Sequence, residues 1–596
     1  MKLPGNLRVV ILMLVALLCL PALSAAQYFG RNKVQYRSFD FRILQTERFD
    51  IYYYPEEIEA AHIVSRMAER WHARLSRLFG HDLRGRQAIV LYAAPAHFRQ
   101  TNTIDGLIGE GTGGVTEALK RRVVLPMSGS LADTDHVLGH ELVHAFQFDL
   151  TGDDPRDRTG LMPGILSFPL WYAEGMAEYL SVGPVDTQTA MWLRDAAVRE
   201  NLPHIRDLDD PDYFPYRWGH AFWAFVGAKY GDRSVASLIR SAANPSTDLV
   251  GLTRQLGTDP GTLTNEWHAA ILARTRELAD DGSAVMSMPR LVLGRHTGGG
   301  RYNVGPRVSP DGRLVAFFSE RGRFAVDLFL ADTDTGEVVR RLTTSANDPH
   351  FDSLQFINSA GAWSPDSRTL AITAVRSGKP VIALIDVRNG RIRREIKLPG
   401  LDDAMHPAFA PDGASVVVSG NAGGLIDLYR VSLTGTQIER LTNDVFADLE
   451  ATFTPDGTGL VFVTERFSTE LDRLEIGPLR LAHLDLSTRV VRGIPGFLSG
   501  KHLSPQVSPD GRLVTFIADP DGINNLYRMA IDGGPAERLS SIATGIAGIT
   551  STSPALSMAA DGRFVFSVFE DDGHSIYRLD PDDTMALVPA AATLQA

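Results

Sequence analysis

The sequence predicts a multidomain protein in which an α+β domain is followed by an all-β six-bladed propeller. Two patterns predict it. Up to about residue 285, long stretches with helical periodicity alternate with short aromatic or β-branched runs. Beyond about residue 288 the texture changes to short strands, and a Pro-Asp-Gly type of turn recurs six times. A third observation marks the first part: a single His140-Glu141-Leu142-Val143-His144 run inside one of its helical stretches.

Residues 1–26 read as an export signal. Lys2 and Arg8 accompany an apolar run from Val9 to Leu20, and Ser24-Ala25-Ala26 offers a small-residue cleavage site before Gln27. The run is short for a spanning helix, and bulky Leu18 before Cys19 disfavours a lipid-attached start. Cys19 is the only cysteine, so the mature chain is expected to lack thiols and disulfides and to sit in the periplasm or outside the cell. No later stretch has the length of a membrane span. The formal charge is −12, becoming −14 once Lys2 and Arg8 leave with the signal. That balance disfavours nucleic acid and anionic membrane surfaces as partners. Roughly 570 residues remain, too many for one core. The expected division is 27–285 and 286–596.

In the first domain, Phe49 to Tyr54 reads as an aromatic strand and Glu56 to Phe79 as a helix ended by Gly80. Gln87 to Ala93 is a second strand, Gly106 to Gly114 a flexible loop, and Arg121 to Pro126 a third strand. Ser130 to Thr134 supplies N-caps for a helix from about Thr134 to Phe148. That helix carries the histidine pair. Residues four apart share one helical face, so His140 and His144 can reach one ion, and Glu141 beside it can take a proton from water. Leu138, Leu142, Ala145 and Phe146 fall on the opposite side, as in a buried helix. The alternative is a core helix with two hydrogen-bonded histidines. His136, a turn upstream, reads as a supporting or core histidine.

A zinc site needs a third protein ligand. Gln147 and Leu150 stand where a metzincin has Gly and His, so no third histidine follows on schedule. The candidates lie in a helix opened by Pro169, where Glu174 and Glu178 share one face. Spacing alone does not choose between them. The loop from Asp149 to Leu166 is long enough to suspect a function. Further on, Tyr213 to His220 opens a helix ending near Tyr230-Gly231, and Tyr216 and His220 are candidate donors to an oxyanion, with plain packing as the alternative.

His140-Glu141-x-x-His144 followed by Glu174-Gly175-x-Ala177-Glu178-Tyr179 resembles the gluzincins of the thermolysin-like superfamily. More closely, it resembles the bacterial metallopeptidase-like domain that precedes a TolB-like propeller. Arg48 to Tyr54 and Gly113-Gly114-Val115-Thr116-Glu117 extend the likeness. The resemblance implies a gluzincin-like metallopeptidase domain with Zn²⁺ on His140, His144 and Glu174, Glu141 as general base, and Glu178 holding a ligand histidine from behind. It also implies that the strand Arg121 to Pro126 is an edge accepting an extended substrate. Gly175 and Ala177 are expected to let the two site helices approach closely.

The turns Ser309-Pro310-Asp311-Gly312, Ser364-Pro365-Asp366-Ser367, Ala410-Pro411-Asp412-Gly413, Thr454-Pro455-Asp456-Gly457, Ser508-Pro509-Asp510-Gly511 and Ala559-Ala560-Asp561-Gly562 lie 44 to 55 residues apart, the length of a propeller blade. Asp caps its own turn and Gly takes positive φ, so these aspartates are expected to be turn residues. A strand near Leu291-Val292-Leu293 is expected to close the ring. The leading functional reading is an exported zinc metallopeptidase acting on a peptide or protein substrate, with the propeller controlling access or docking partners. The alternative is a periplasmic interaction scaffold whose peptidase-like domain is weakly active or silent. A serine peptidase is disfavoured because no G-x-S-x-G occurs.

Overall fold

The computed structural model describes residues 33–104, 106–127, 129–152, 168–241, 249–279, 289–322, 325–345, 350–435, 437–585 and 588–589. The export segment, and the Asp149–Leu166 loop beyond residue 152, lie outside the described residues.

The N-terminal domain is rich in helix and built on one five-stranded sheet. Its strands are β1 (Arg42–Gln45), β2 (Phe49–Tyr53), β3 (Gln87–Tyr92), β4 (Val115–Glu117) and β5 (Arg122–Pro126), in the order β1-β2-β3-β5-β4. β2, β3 and β5 are parallel, with β1 and β4 antiparallel at the two edges. This corrects one expectation: the strand beginning near Arg121 is interior. Val123, Val124 and Leu125 are fully buried, as suits a parallel strand covered on both faces. The edge is β4, whose three residues are half-buried.

Helix α1 (Ile58–Phe79) follows a 3₁₀ turn, Pro55–Glu57, and ends at Gly80 with φ +58°. Ile63, Met67, Trp71 and Leu75 line its buried face. Helix α2 (Leu131–Thr151) begins at Ser130, whose hydroxyl accepts from the Asp133 N–H at 3.1 Å. α1 and α2 approach closely at Gly139, where a Cβ would stand 2.6 Å from the Trp71 indole. Helices α3 (Leu170–Val182), α4 (Thr187–Val198) and α5 (Pro215–Tyr230) follow, and Asp232–Ser241, Leu249–Gln255 and Pro260–Ala279 complete the domain.

The C-terminal half is a ring of six antiparallel sheets. Each Pro-Asp-Gly type turn joins the first and second strands of one blade. Asp311, Asp366, Asp456 and Asp510 each accept from the Ser or Thr two residues earlier at 2.6 Å, so they are turn residues as expected. Arg290–Leu293 pairs antiparallel with Gly573–Leu579 and so completes the last blade, placing an early strand beside a late one. Leu293 is fully buried there with Phe317 and Ile576.

The two halves dock through the face opposite those turns. Asn421 donates to the carbonyls of Ala93 (2.7 Å) and Met127 (2.9 Å). Arg194 donates to the carbonyls of Ala543 (2.8 Å) and Thr544 (3.0 Å), and Asp195 accepts from the Asp571 N–H at 3.0 Å. Ser353 meets Glu110, and Trp192 stacks on Phe569 with centroids 4.8 Å apart. The helical domain therefore straddles one end of the ring.

Candidate metal centre

α2 is buried on almost every side, so its polar side chains must find partners in protein or in an ion. His140, Glu141 and His144 are each less than a tenth exposed. The facing helix α3 brings Glu174 to them. Glu174 Oε2 lies 3.0 Å from His140 Nε2 and 3.2 Å from His144 Nε2, and the two nitrogens are 3.1 Å apart. Three ligand-type atoms thus face a common point. Tetrahedral zinc with bonds of about 2.0 Å holds neighbouring ligand atoms about 3.3 Å apart, so the donor set fits that ion. Among the described residues this is the group of three acidic or imidazole side chains suited to hold a metal.

The backs of these ligands are held. His144 Nδ1–H donates to Gln147 Oε1 at 2.7 Å, and Gln147 Nε2 donates to the Ala173 carbonyl at 3.0 Å. This fixes the tautomer that leaves the lone pair of His144 Nε2 pointing at the site. His140 Nδ1 lies 3.2 Å from Glu178 Oε1, which is also 3.5 Å from His136 Nε2, while Arg217 stands 3.8 Å from the other oxygen. Glu174 faces both Nε2 atoms and Glu178 faces Nδ1, which separates two glutamates that spacing alone leaves equivalent.

The electrostatics follow. Burial works against a charged imidazole, yet the hydrogen bond to Glu174 and the nearby charge of Glu178 outweigh it and raise the pKa of His140 above its ordinary value. Burial likewise opposes an ionised Glu178, but His136 and His140 hold it well below the usual carboxylate range. The two carboxylates thus favour positive charge placed between them.

The Glu141 carboxylate stands near enough to both histidines to favour their charged forms, and the edge strand holds it. Thr116, on the edge strand β4, donates to Glu141 Oε2 at 2.6 Å and stands 2.9 Å from its main-chain carbonyl. A Cβ at Gly114 would lie 2.9 Å from Glu141 Oε1, so the glycine leaves room beside that oxygen. Tyr216, in the first turn of α5, stacks on His140 with ring centroids 5.9 Å apart and stands close enough to Glu174 to feel its charge. Burial, Glu174 and Glu141 push its phenol well above the ordinary range.

Two expectations are corrected. His220 is buried, and its Nε2 donates to the Gly183 carbonyl at 2.9 Å instead of facing the triad, because it lies one turn beyond Tyr216 and turns toward the C-terminal end of α3. Gly175 serves the crossing of α3 with α5, not with α2: its Cβ would stand 2.3 Å from the backbone of Gly219. That crossing is what delivers Tyr216. Gln147 was legible only as a departure from the metzincin pattern; no spacing rule marks it as a histidine's partner.

The family model of the TolB beta propeller domain matches residues 351–470. An uncharacterized protein of Agrobacterium fabrum is 26% identical over 206 residues, 34% of this chain and 66% of that protein. A TolB homolog of Chlorobium luteolum is 29% identical over 161 residues, 27% of this chain and 34% of that protein. The crystal structure of TolB from Acinetobacter baumannii aligns with a TM-score of 0.36 at 20% identity, covering 56% of this chain and 71% of that one. By its ring of six sheets and the family-model match at residues 351–470, the C-terminal region is a TolB-like six-bladed propeller, preceded by a helix-rich domain.

Proposed function

We propose that the helix-rich domain is a zinc-dependent peptide hydrolase in an exported, periplasmic protein. One observation carries this reading: His140 Nε2, His144 Nε2 and Glu174 Oε2 converge within 3.2 Å of one another in a buried site, with Glu141 alongside. Zinc held by those three would supply Lewis acidity to a water molecule and to the scissile carbonyl. The chain's own residues do the rest. Glu141, oriented by Thr116 and with space at Oε1, accepts the proton from the attacking water and passes it to the departing amine. Tyr216 donates its O–H to the oxyanion that develops. The edge strand β4, which carries Thr116, offers main-chain partners to an extended substrate. Peptide is the substrate class that uses such an edge.

A second reading is a periplasmic interaction scaffold whose propeller binds a protein partner. The sequence matches lie with TolB-like propellers and so bear more directly on this reading than on the hydrolase. Both share the propeller, and the site residues separate them. Digestion of an unbiased peptide library by zinc-loaded protein, beside its Glu141→Gln variant, tests the proposal. Cleavage that falls by at least about 10²-fold in the variant supports it; no cleavage by the zinc-loaded wild type leaves the scaffold reading.

A further inference from the structure

The first turn of a helix has N–H groups with no partner inside the helix. In α2, Ser130 serves the Asp133 N–H. The Leu131 N–H is served from the other half of the protein: it donates at 2.8 Å to Glu465 Oε1, on the loop that leaves the blade strand Gly459–Thr464. The same oxygen accepts from Ala447 N–H at 3.3 Å, and Glu465 has no solvent exposure. The loop grips the helix a second time. Arg70 of α1 bridges the Leu474 carbonyl and Asp135, in the second turn of α2, while Trp71 donates to the same Asp135 oxygen at 2.9 Å. Arg66 anchors the loop further through the carbonyls of Leu471 (2.8 Å) and Asp472 (2.7 Å). Trp71 in turn packs against Gly139, the residue before His140.

We infer that Glu465 is a positioning residue for the metal helix: the propeller caps α2 in trans and so sets where His140, Glu141 and His144 stand relative to Glu174. This rests on the hydrolase reading for its chemical consequence, though the cap itself does not. α3, which carries Glu174, has its own anchor in the crossing with α5 at Gly175 and Gly219, and it meets α2 beyond the histidines through Gln147 and the Ala173 carbonyl. A shift of α2 alone therefore opens the distance between the two histidines and their carboxylate. Burial pushes the Glu465 carboxyl up to about 8, so near neutral pH it accepts as an uncharged group, a role a carboxamide reproduces.

The test uses the full chain carrying Glu465→Ala or Glu465→Gln, loaded with Co²⁺ as a spectroscopic substitute and with Zn²⁺ for affinity. Glu465→Ala should change the Co²⁺ absorption bands, weaken zinc roughly tenfold, and speed exchange of the first-turn amides of α2 by about tenfold, the usual scale of a lost cap. Glu465→Gln should restore all three to near wild type. A folded Glu465→Ala protein with wild-type Co²⁺ bands and zinc affinity overturns the inference. If that variant does not fold, Arg70→Met decides through the second grip: altered Co²⁺ bands support the inference and unaltered bands refute it. If wild-type protein binds neither metal, the hydrolase reading fails, and first-turn exchange alone decides: faster in Glu465→Ala upholds the cap, unchanged refutes it.

Discussion

Replacing Gln147 by leucine removes two hydrogen bonds while keeping most of the side-chain volume. Gln147 is fully buried, accepts from His144 Nδ1–H at 2.7 Å, and donates to the Ala173 carbonyl at 3.0 Å. In Gln147→Leu the buried His144 N–H loses its partner, at about 1–3 kcal/mol, whereas the half-buried Ala173 carbonyl keeps its place in the hydrogen-bond ladder of α3. The ring also loses the acceptor that keeps the Nδ1–H tautomer. If the proton moves to Nε2, the atom facing Glu174 no longer offers a lone pair. Losing such a support typically weakens a metal site by about 10–100-fold, or about 1.4–2.7 kcal/mol of binding. Competition with a chromophoric chelator reads that change directly. Gln147→Glu keeps the acceptor and gives up only the bond to Ala173, so its loss should be smaller. Wild-type zinc affinity in Gln147→Leu would refute the role assigned to this contact.

Other expectations follow from the same geometry. Glu174→Ala should abolish tight zinc binding, whereas Glu178→Gln should keep zinc with affinity or activity lowered by about 10–100-fold; a reversed order in side-by-side titrations would reverse the two roles. Leu293→Ala should lower the propeller's unfolding midpoint by the equivalent of about 2–5 kcal/mol, because it hollows the seam that closes the ring, while half-exposed Leu291→Ala should cost under about 0.5 kcal/mol. Burial pushes Glu57 up to about 8 from an ordinary 4.5, and its Oε1 has no hydrogen-bond partner among the described residues. Its folded pKa lies above the unfolded one, so the folded state holds the extra proton between those values, and this group's contribution to stability declines as pH rises from about 4.5 through about 8. Glu57→Gln should therefore gain stability over wild type across that window, by on the order of a few kcal/mol at its upper end; parallel stability–pH curves for the two proteins would contradict it.

The propeller was legible because its turns are chemically constrained. A left-handed Gly after an Asp that caps its own turn repeats once per blade, and even Ser367, standing where the glycine would, takes φ +57°. The histidine pair was legible because helical spacing places both rings on one face. Strand order was not. Nothing in Arg121 to Pro126 says that Val115 to Glu117 pairs outside it; only its apolar character on both faces hints at an interior strand. His220 shows a related limit, since helix periodicity puts it a turn from Tyr216 without saying which neighbour each faces. Gly175 read as a close-approach residue, and it is one, but its partner Gly219 lies on a helix that spacing could not align with it. Contacts between the two halves, such as Asn421 with Ala93 or Glu465 with Leu131, join residues more than 300 positions apart and leave no periodic trace.

The central claim is that His140, His144 and Glu174 form one zinc site, and metal content tests it most directly. The full-length mature protein is stripped with chelator, reloaded with zinc and dialysed, then analysed by elemental mass spectrometry beside His140→Ala. One zinc per chain in the wild type, absent from the variant, is the predicted result. A wild type that retains no zinc, or a variant that retains as much, would contradict it.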